Sequence, residues 1–237
     1  MERYVRDATL TYLQDNDILS DKQFGFIKGS STTLQLLTIM DEWTEMLEKG
    51  QIIDIVYFDF QKAFDTVPHR RLIELMKHYQ IDDVVIKWVN DFLTNRKQQV
   101  IVEGNKSSTF DVKSGVPQGS VLGPLLFLIY INLMVEKVND NDGMYLFADD
   151  LKLYSQTLSN EEINEMQLKI DRIDDWTKYS LLKFNAQKCK VMRLSSNKKD
   201  VGKPCYNIGD RKISLCDNIE DLGVKFGKHL SFDTHIN

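Results

Sequence analysis

The sequence predicts an α+β fold in which an antiparallel sheet packs on helices. Three observations carry that prediction. Hairpin signals recur at residues 98–113, 144–154 and 206–215. They outnumber the strand–helix–strand crossovers that a doubly wound parallel sheet needs. The chain has 237 residues, 42% hydrophobic and 27% charged, which is enough for a sizeable core and excludes a disordered, collagenous or mucin-like chain.

Each element has its own local signal. Residues 2–14 read as a charged, amphipathic helix, which is not a secretory leader. Ser30 to Thr33 offer N-caps for a helix with Leu36, Leu37, Met40, Trp43 and Leu47 at helical spacing, and Gly50 stops it. Ile52 to Phe60 is rich in Ile, Val and aromatics and reads as a largely buried strand. Pro68 suits the first turn of a helix whose stripe is Leu72, Leu75, Met76 and Tyr79. A further helix covers residues 82–94. Gln98–Glu103 and Thr109–Lys113 flank a Gly104-Asn105 turn. Gly115 to Gly123 forms a glycine-bearing loop that feeds a helix over 121–138. Its apolar stretch, Val121 to Val135, is short for a membrane span and is interrupted by Gly123-Pro124 and Asn132, so a buried helix is predicted. Met144 to Tyr154 is a second apolar hairpin broken at its middle by Asp149-Asp150. A helix over 160–181, a strand at Lys190–Leu194 and a hairpin of Tyr206–Ile208 with Lys212–Leu215 about Gly209-Asp210 complete the chain.

The charge balance, Lys+Arg 30 against Asp+Glu 35, lacks the excess of a basic nucleic-acid module, but a net charge can hide a local basic face. Between residues 178 and 203, Lys178, Lys183, Lys188, Lys190, Arg193, Lys198, Lys199 and Lys203 meet only Asp200, a run able to follow a phosphate backbone. His69, Arg70 and Arg71 form a smaller cluster that reads equally as a solvated helix start. Cys189, Cys205 and Cys216 are odd in number and include no C-x-x-C, which excludes a disulfide framework or zinc site and fits a reducing compartment.

Three carboxylates break the hydrophobic pattern. Asp59 closes the run IIDIVYFDF, and Asp149 and Asp150 sit inside MYLFADDLKLY. An unpaired carboxylate in an apolar sheet costs several kcal/mol. Lysine, arginine or a divalent cation would offset that cost, and Mg²⁺ takes a few carboxylates together with substrate phosphates. If the turn lies beside the end of the Asp59 strand, the acids converge, and two ions about 3.5–4 Å apart would serve in-line phosphoryl transfer. Taken alone, a strand-end Asp is usually a solvated turn residue and an Asp-Asp pair is common; the apolar flanks of both segments strengthen the functional reading.

With these residues assembled, the segments VYFDFQKAFDTVPHRRL, SGVPQGSVLGPLLFLIYIN, YLFADDLKLY and LKFNAQKCKVM resemble, in order and spacing, the palm motifs of reverse transcriptases of non-LTR (LINE-like) retrotransposons. LSDKQFGFIKGSSTTLQL resembles the fingers motif upstream, and DLGVKFGKHLSFDTHI the stretch that holds the primer grip. The resemblance covers nearly the whole chain. It implies an α+β right-hand polymerase palm with partial fingers (1–50) and no thumb. The palm's first catalytic strand and helix would be 51–80, a fingers/palm helix and hairpin 81–113, the loop, hairpin and basic segment 114–203, and the palm end 204–237.

What the resemblance implies for residues is specific. Asp59, Asp149 and Asp150 would be catalytic and bind two Mg²⁺ ions (Mn²⁺ as the alternative), with the Phe60 carbonyl as a further ligand. Phe64 matches the gate that excludes a ribose 2′-hydroxyl; a core residue is the commoner fate of a phenylalanine, but the spacing from Asp59 favours the gate. Pro117, Gln118 and Gly119 match the loop along template and dNTP, where glycine permits close backbone approach. Lys188 would stabilise the leaving pyrophosphate. Leu222 and Gly223 fall in the primer grip. The partners implied are an RNA template, a DNA primer and dNTPs, with no membrane and a nuclear or cytoplasmic setting.

The chain departs from the family pattern in places. Ile27 stands where a triphosphate-binding arginine is usual, with Lys28 beside it and without the bidentate fork. Leu133 replaces an Asp, and Asp221 replaces the aromatic before Leu222-Gly223. A catalytically inactive remnant with weak nucleic-acid binding is the alternative to a polymerase. An RNA-dependent RNA polymerase is disfavoured by Phe64, and a scaffold leaves the three acids without a purpose.

Overall fold

The computed structural model describes residues 1–138, 143–196 and 203–236. Its elements in chain order are α1 (Glu2–Asp15), α2 (Thr32–Glu48), β1 (Ile52–Phe58), α3 (Ala63–Thr66), α4 (His69–His78), α5 (Asp83–Leu93), β2 (Lys97–Gln98), β3 (Ile101–Val102), β4 (Asn105–Lys106) and β5 (Phe110–Asp111). They continue with α6 (Gly123–Val138), β6 (Met144–Phe147), β7 (Asp150–Gln156), α7 (Asn160–Ser180), β8 (Lys190–Ser195), β9 (Asn207–Ile208), β10 (Arg211–Lys212), β11 (Ser214–Leu215), β12 (Asn218–Asp221), β13 (Val224–Gly227) and α8 (Asp233–Ile236). Among the described residues no helix is long and apolar enough to cross a membrane. The chain divides into two compact units.

The first unit comprises Met1–Ser20, Lys62–Leu133 and Ser180–Leu182. Pro68 caps α4, and the Asp82 carboxylate accepts from the Val84 N–H to start α5. The stripe of Leu72, Met76 and Tyr79 is buried as predicted. The α6 residues of this unit are apolar on every side, Leu125 to Ile131 all being 4% exposed or less, as befits a central core helix. Glu2 reaches its start, where Oε2 accepts from the N–H groups of Val121 and Leu122. The hairpin of β2–β5 turns one residue earlier than predicted. Val102 pairs with Asn105, so the turn is Glu103-Gly104, both at positive φ.

The second unit comprises Asp21–Gln61, Met134–Tyr179 and Lys183–Asn237. Its centre is a five-stranded sheet in the order β11-β8-β1-β7-β6. All pairings are antiparallel except β11 on β8, so Ser214–Leu215 leaves the predicted third hairpin to pair in parallel at the sheet edge. The remainder of that hairpin, β9 with β10, is as predicted. On one face of the sheet Ile53, Ile55, Tyr154, Met192 and Leu194 pack with Tyr145, with Ile39 and Trp43 of α2 and with Phe226 of β13. Ser31 caps α2 by accepting from Leu34, but Leu37, predicted for its core face, is 63% exposed; Gln35, Leu36, Ile39 and Trp43 form that face instead. On the opposite face the cross-strand neighbours Asp54 and Arg193 form a bidentate pair at 2.6 Å, and the Tyr206 hydroxyl donates to Asp54 at 2.7 Å.

Candidate active site

Asp59 follows the last residue of β1, and Phe58 pairs with Leu151 of β7. Extending that antiparallel register by one residue sets Asp59 opposite Asp150. Asp149 and Asp150 do not share one turn. Phe147 pairs with Asp150, so Ala148 and Asp149 are the two turn residues and Asp150 opens the strand. Side chains alternate along a strand, so Asp150, Lys152 and Tyr154 share a face with Tyr57 and Ile55. That face therefore grades from an apolar core to an acidic end.

The turn that carries Asp149 is braced by residues that sequence reasoning passed over. Ala148 has φ 56. The Gln23 side-chain oxygen accepts from the N–H groups of Ala148 at 2.9 Å and Gly25 at 2.7 Å, while its amide donates to the Ala148 carbonyl at 3.4 Å. Gly25 lies so close to this turn that a methyl group on it would stand 2.2 Å from the Ala148 nitrogen. The glycine of GFI within the fingers-like segment was the available signal.

Burial, then the nearby Asp59, raises the Asp149 carboxyl above the usual range against a favourable backbone hydrogen bond. Asp150 is pushed up to about 6 by desolvation first and then by the charge of Asp149, with Asp221 and Asp59 adding to the rise and Lys152 opposing it. Its side chain also reaches solvent at the acidic end of the strand. The acids thus lie within electrostatic reach of one another. Lys188 Nζ lies 3.7 Å from Asp59, and both side chains reach solvent. The Asp59 N–H points to the sulfur of buried Cys189 at 3.5 Å, and desolvation holds that thiol up at about 11. A cleft of about 220 Å³ is lined by Asp59, Asp150, Lys152, Lys188, Asp221 and Leu222, among others.

Phe60 forms a bridge with Phe184, and their rings lie 4.5 Å apart. The flanking bonds, from Gln61 N–H to Lys183 and from Asn185 N–H to Asp59, leave the peptide groups of Phe60 facing away from that neighbour. Gly223 sits beside Leu222 in the turn after Asp221. Lys28 is exposed and does not line the cleft. In the first unit, Phe64 stacks on Phe127 with ring centroids 4.2 Å apart, and Gln118 donates to Asp65 at 2.8 Å. Pro117 accepts from Ser120, and Gly119 has φ 79.

The predicted basic run is only partly free. Arg193 is committed to Asp54, and Lys178 pairs with Asp174 and Asp175 on its own helix. Lys183 and Lys203 are exposed, whereas Lys198, Lys199 and Asp200 lie outside the described residues. In the smaller cluster, a His69 ring nitrogen lies 2.8 Å from the Gly115 carbonyl and Arg70 pairs with Glu74.

The reverse transcriptase (RNA-dependent DNA polymerase) family matches residues 2–226. The chain belongs to that family. Among curated proteins it is similar to the RNA-directed DNA polymerase from mobile element jockey of Drosophila melanogaster, with 28% identity over 100% of this chain and 26% of the relative. It is also similar to the probable RNA-directed DNA polymerase from transposon BS of the same fly (30% identity, 99% and 27% covered). The Pol polyprotein from the type-1 retrotransposable element R2 of Nasonia vitripennis is 25% identical, with 94% and 23% covered. The chain thus spans about a quarter of the length of these relatives. These relatives bear out the resemblance to reverse transcriptases of non-LTR retrotransposons. Telomerase from Candida tropicalis in complex with a TWJ fragment of telomeric RNA superposes with a TM-score of 0.67 at 15% identity, covering 98% of this chain and 36% of that one. That likeness identifies the α+β fold as the right-hand polymerase fold.

Reverse transcriptases generally use divalent metal ions. Among the described residues no three His, Cys, Asp and Glu side chains close into a ready-made cage. The site fits a less demanding arrangement. Asp149 and Asp150 are short of positive charge, and a hard cation that takes one or two carboxylates and fills its shell with water and phosphate oxygens answers that shortage.

Proposed function

We propose that this chain is the catalytic core of an RNA-directed DNA polymerase that extends a DNA primer on an RNA template with dNTPs. The observation that carries the proposal is the register that sets Asp59 opposite Asp150, with Asp149 in the adjoining turn. Asp59, Asp149 and Asp150, with the Phe60 carbonyl, would hold two Mg²⁺ ions, with Mn²⁺ as the substitute. Bound there, such ions lower the pKa of the attacking hydroxyl and stabilise the leaving group.

The primer 3′-oxygen gives its proton to solvent water and bonds to the α-phosphorus of the dNTP, while the bond to pyrophosphate breaks. Lys188, exposed and 3.7 Å from Asp59, supplies a positive charge or a proton to that pyrophosphate. Phe64 is the sugar gate, its ring backed by Phe127. Pro117, Gln118 and Gly119 follow template and nucleotide; with its amide on Asp65, the Gln118 oxygen remains an acceptor. Lys28 offers the triphosphate a single positive charge without the fork of arginine. Leu222 and Gly223 hold the primer end.

Primer extension on poly(rA)/oligo(dT) with Mg²⁺ tests the proposal. Incorporation of dTTP that disappears in Asp149→Ala supports it. A folded chain that binds template–primer weakly and incorporates nothing overturns it in favour of a non-catalytic remnant.

A further inference from the structure

The proposed chemistry makes no use of the most deeply buried lysine beside the acids. Lys152 is 1% exposed, its ammonium 2.5 and 2.6 Å from the two oxygens of Asp221 and 3.4 Å from the Gln35 side-chain oxygen. Asp221 is itself 5% exposed. A buried ion pair seldom stabilises a fold more than apolar residues of the same volume would, so its presence calls for another reason.

The two ends of this pair stand at telling positions. Lys152 lies two residues beyond Asp150 on the same face of β7. Asp221 ends β12 and pairs with Val224, leaving Leu222-Gly223 as a two-residue turn with φ of 49 and 86. A bulky leucine in that region is strained and persists only where its surroundings hold it. Among the described residues β12 and β13 form a separate two-stranded ribbon, with no strand ladder joining this hairpin to the five-stranded sheet. Side chains do so instead. Phe226 is sunk in the core beside Trp43, and Asp221 is fixed by Lys152 at the end nearer the acids.

We infer that Lys152 and Asp221 are positioning residues that fix the Leu222-Gly223 turn relative to the acidic end of β7, and with it the primer 3′ end. The inference rests on the polymerase proposal for its consequence, but not for its geometry. It gives the buried pair of Lys152 and Asp221 a role beyond the stability of the fold.

The test uses the full chain and the charge-free double variant Lys152→Met/Asp221→Leu, which leaves no buried ion unpaired. Its stability in urea should be close to that of the unaltered chain. Amide hydrogen exchange at Leu222, Gly223 and Val224 should speed up at least tenfold while β1 and β7 keep their protection. In primer extension the KM for template–primer should rise at least tenfold, with a smaller fall in kcat, and Lys152→Arg should recover part of it. Exchange and KM equal to those of the unaltered chain would overturn the inference. A chain that extends no primer at all sinks the polymerase proposal instead, and hydrogen exchange then decides the positioning role alone.

Discussion

The α-carbon of Gly25 rests against the backbone of Ala148, so that a side-chain methyl would meet the Ala148 nitrogen at 2.2 Å and the Phe147 carbonyl carbon at 2.9 Å. The contact joins the fingers-like segment directly to the turn carrying Asp149. Both partners are backbone at the point of contact, so neither can swing away. Gly25→Ala should destabilise the chain by about 1–3 kcal/mol, the usual cost of overpacking. It should also depress primer extension more than that stability loss explains. Urea midpoints beside initial rates check it; a wild-type rate would show that the turn tolerates displacement.

Asp150 sets a pH dependence of the metal-free protein. Its carboxyl titrates near 3.8 unfolded and at about 6 folded, so the native chain binds the extra proton across that window. Stability in EDTA should therefore fall as the pH rises from 3.8 to about 6. Asp150→Asn should flatten this slope and abolish Mg²⁺-dependent extension. Denaturation midpoints across the range provide the check, and an unchanged slope in the variant would assign the effect to another group.

The ion pair of Asp54 and Arg193 ties β1 to β8. Asp54 is wholly buried and the Arg193 side chain is 12% exposed, so Asp54→Ala strands a partly buried guanidinium and should cost about 3 kcal/mol, the low end for a buried pair. Replacing both with apolar residues should cost less than the single change. Equilibrium unfolding of the two variants decides this.

Lys188 should separate chemistry from stability. Its contact with Asp59 is solvent-exposed, and such pairs contribute under about 1 kcal/mol. Lys188→Ala should leave the unfolding midpoint in place while slowing extension about 10²-fold. A normal rate would remove the lysine from the mechanism.

Phe64 is half-buried against Phe127. Phe64→Val should raise rNTP incorporation relative to dNTP, measured as a ratio of kcat/KM values. An unchanged ratio with lowered stability would make the ring a core residue and nothing more.

The boundaries of most elements were legible in the chain because their causes are local. Ser31, Pro68 and Asp82 start helices by satisfying or lacking backbone N–H groups, and Gly104 supplies a turn conformation. Asp59, Asp149 and Asp150 stood out because a carboxylate in an apolar run is costly wherever the run folds. Distant partners left no such trace. Arg193 looked like one more cation of a basic run until β1 lay beside β8 and put Asp54 opposite it. Asp221 looked like a departure from a pattern until Lys152 faced it, and Gln23 and Gly25 gained meaning only against Ala148. Leu37 had the spacing of a core residue and points to solvent. Strand order and pairing register choose such partners, and both follow from packing of the assembled chain, which no short window of sequence contains.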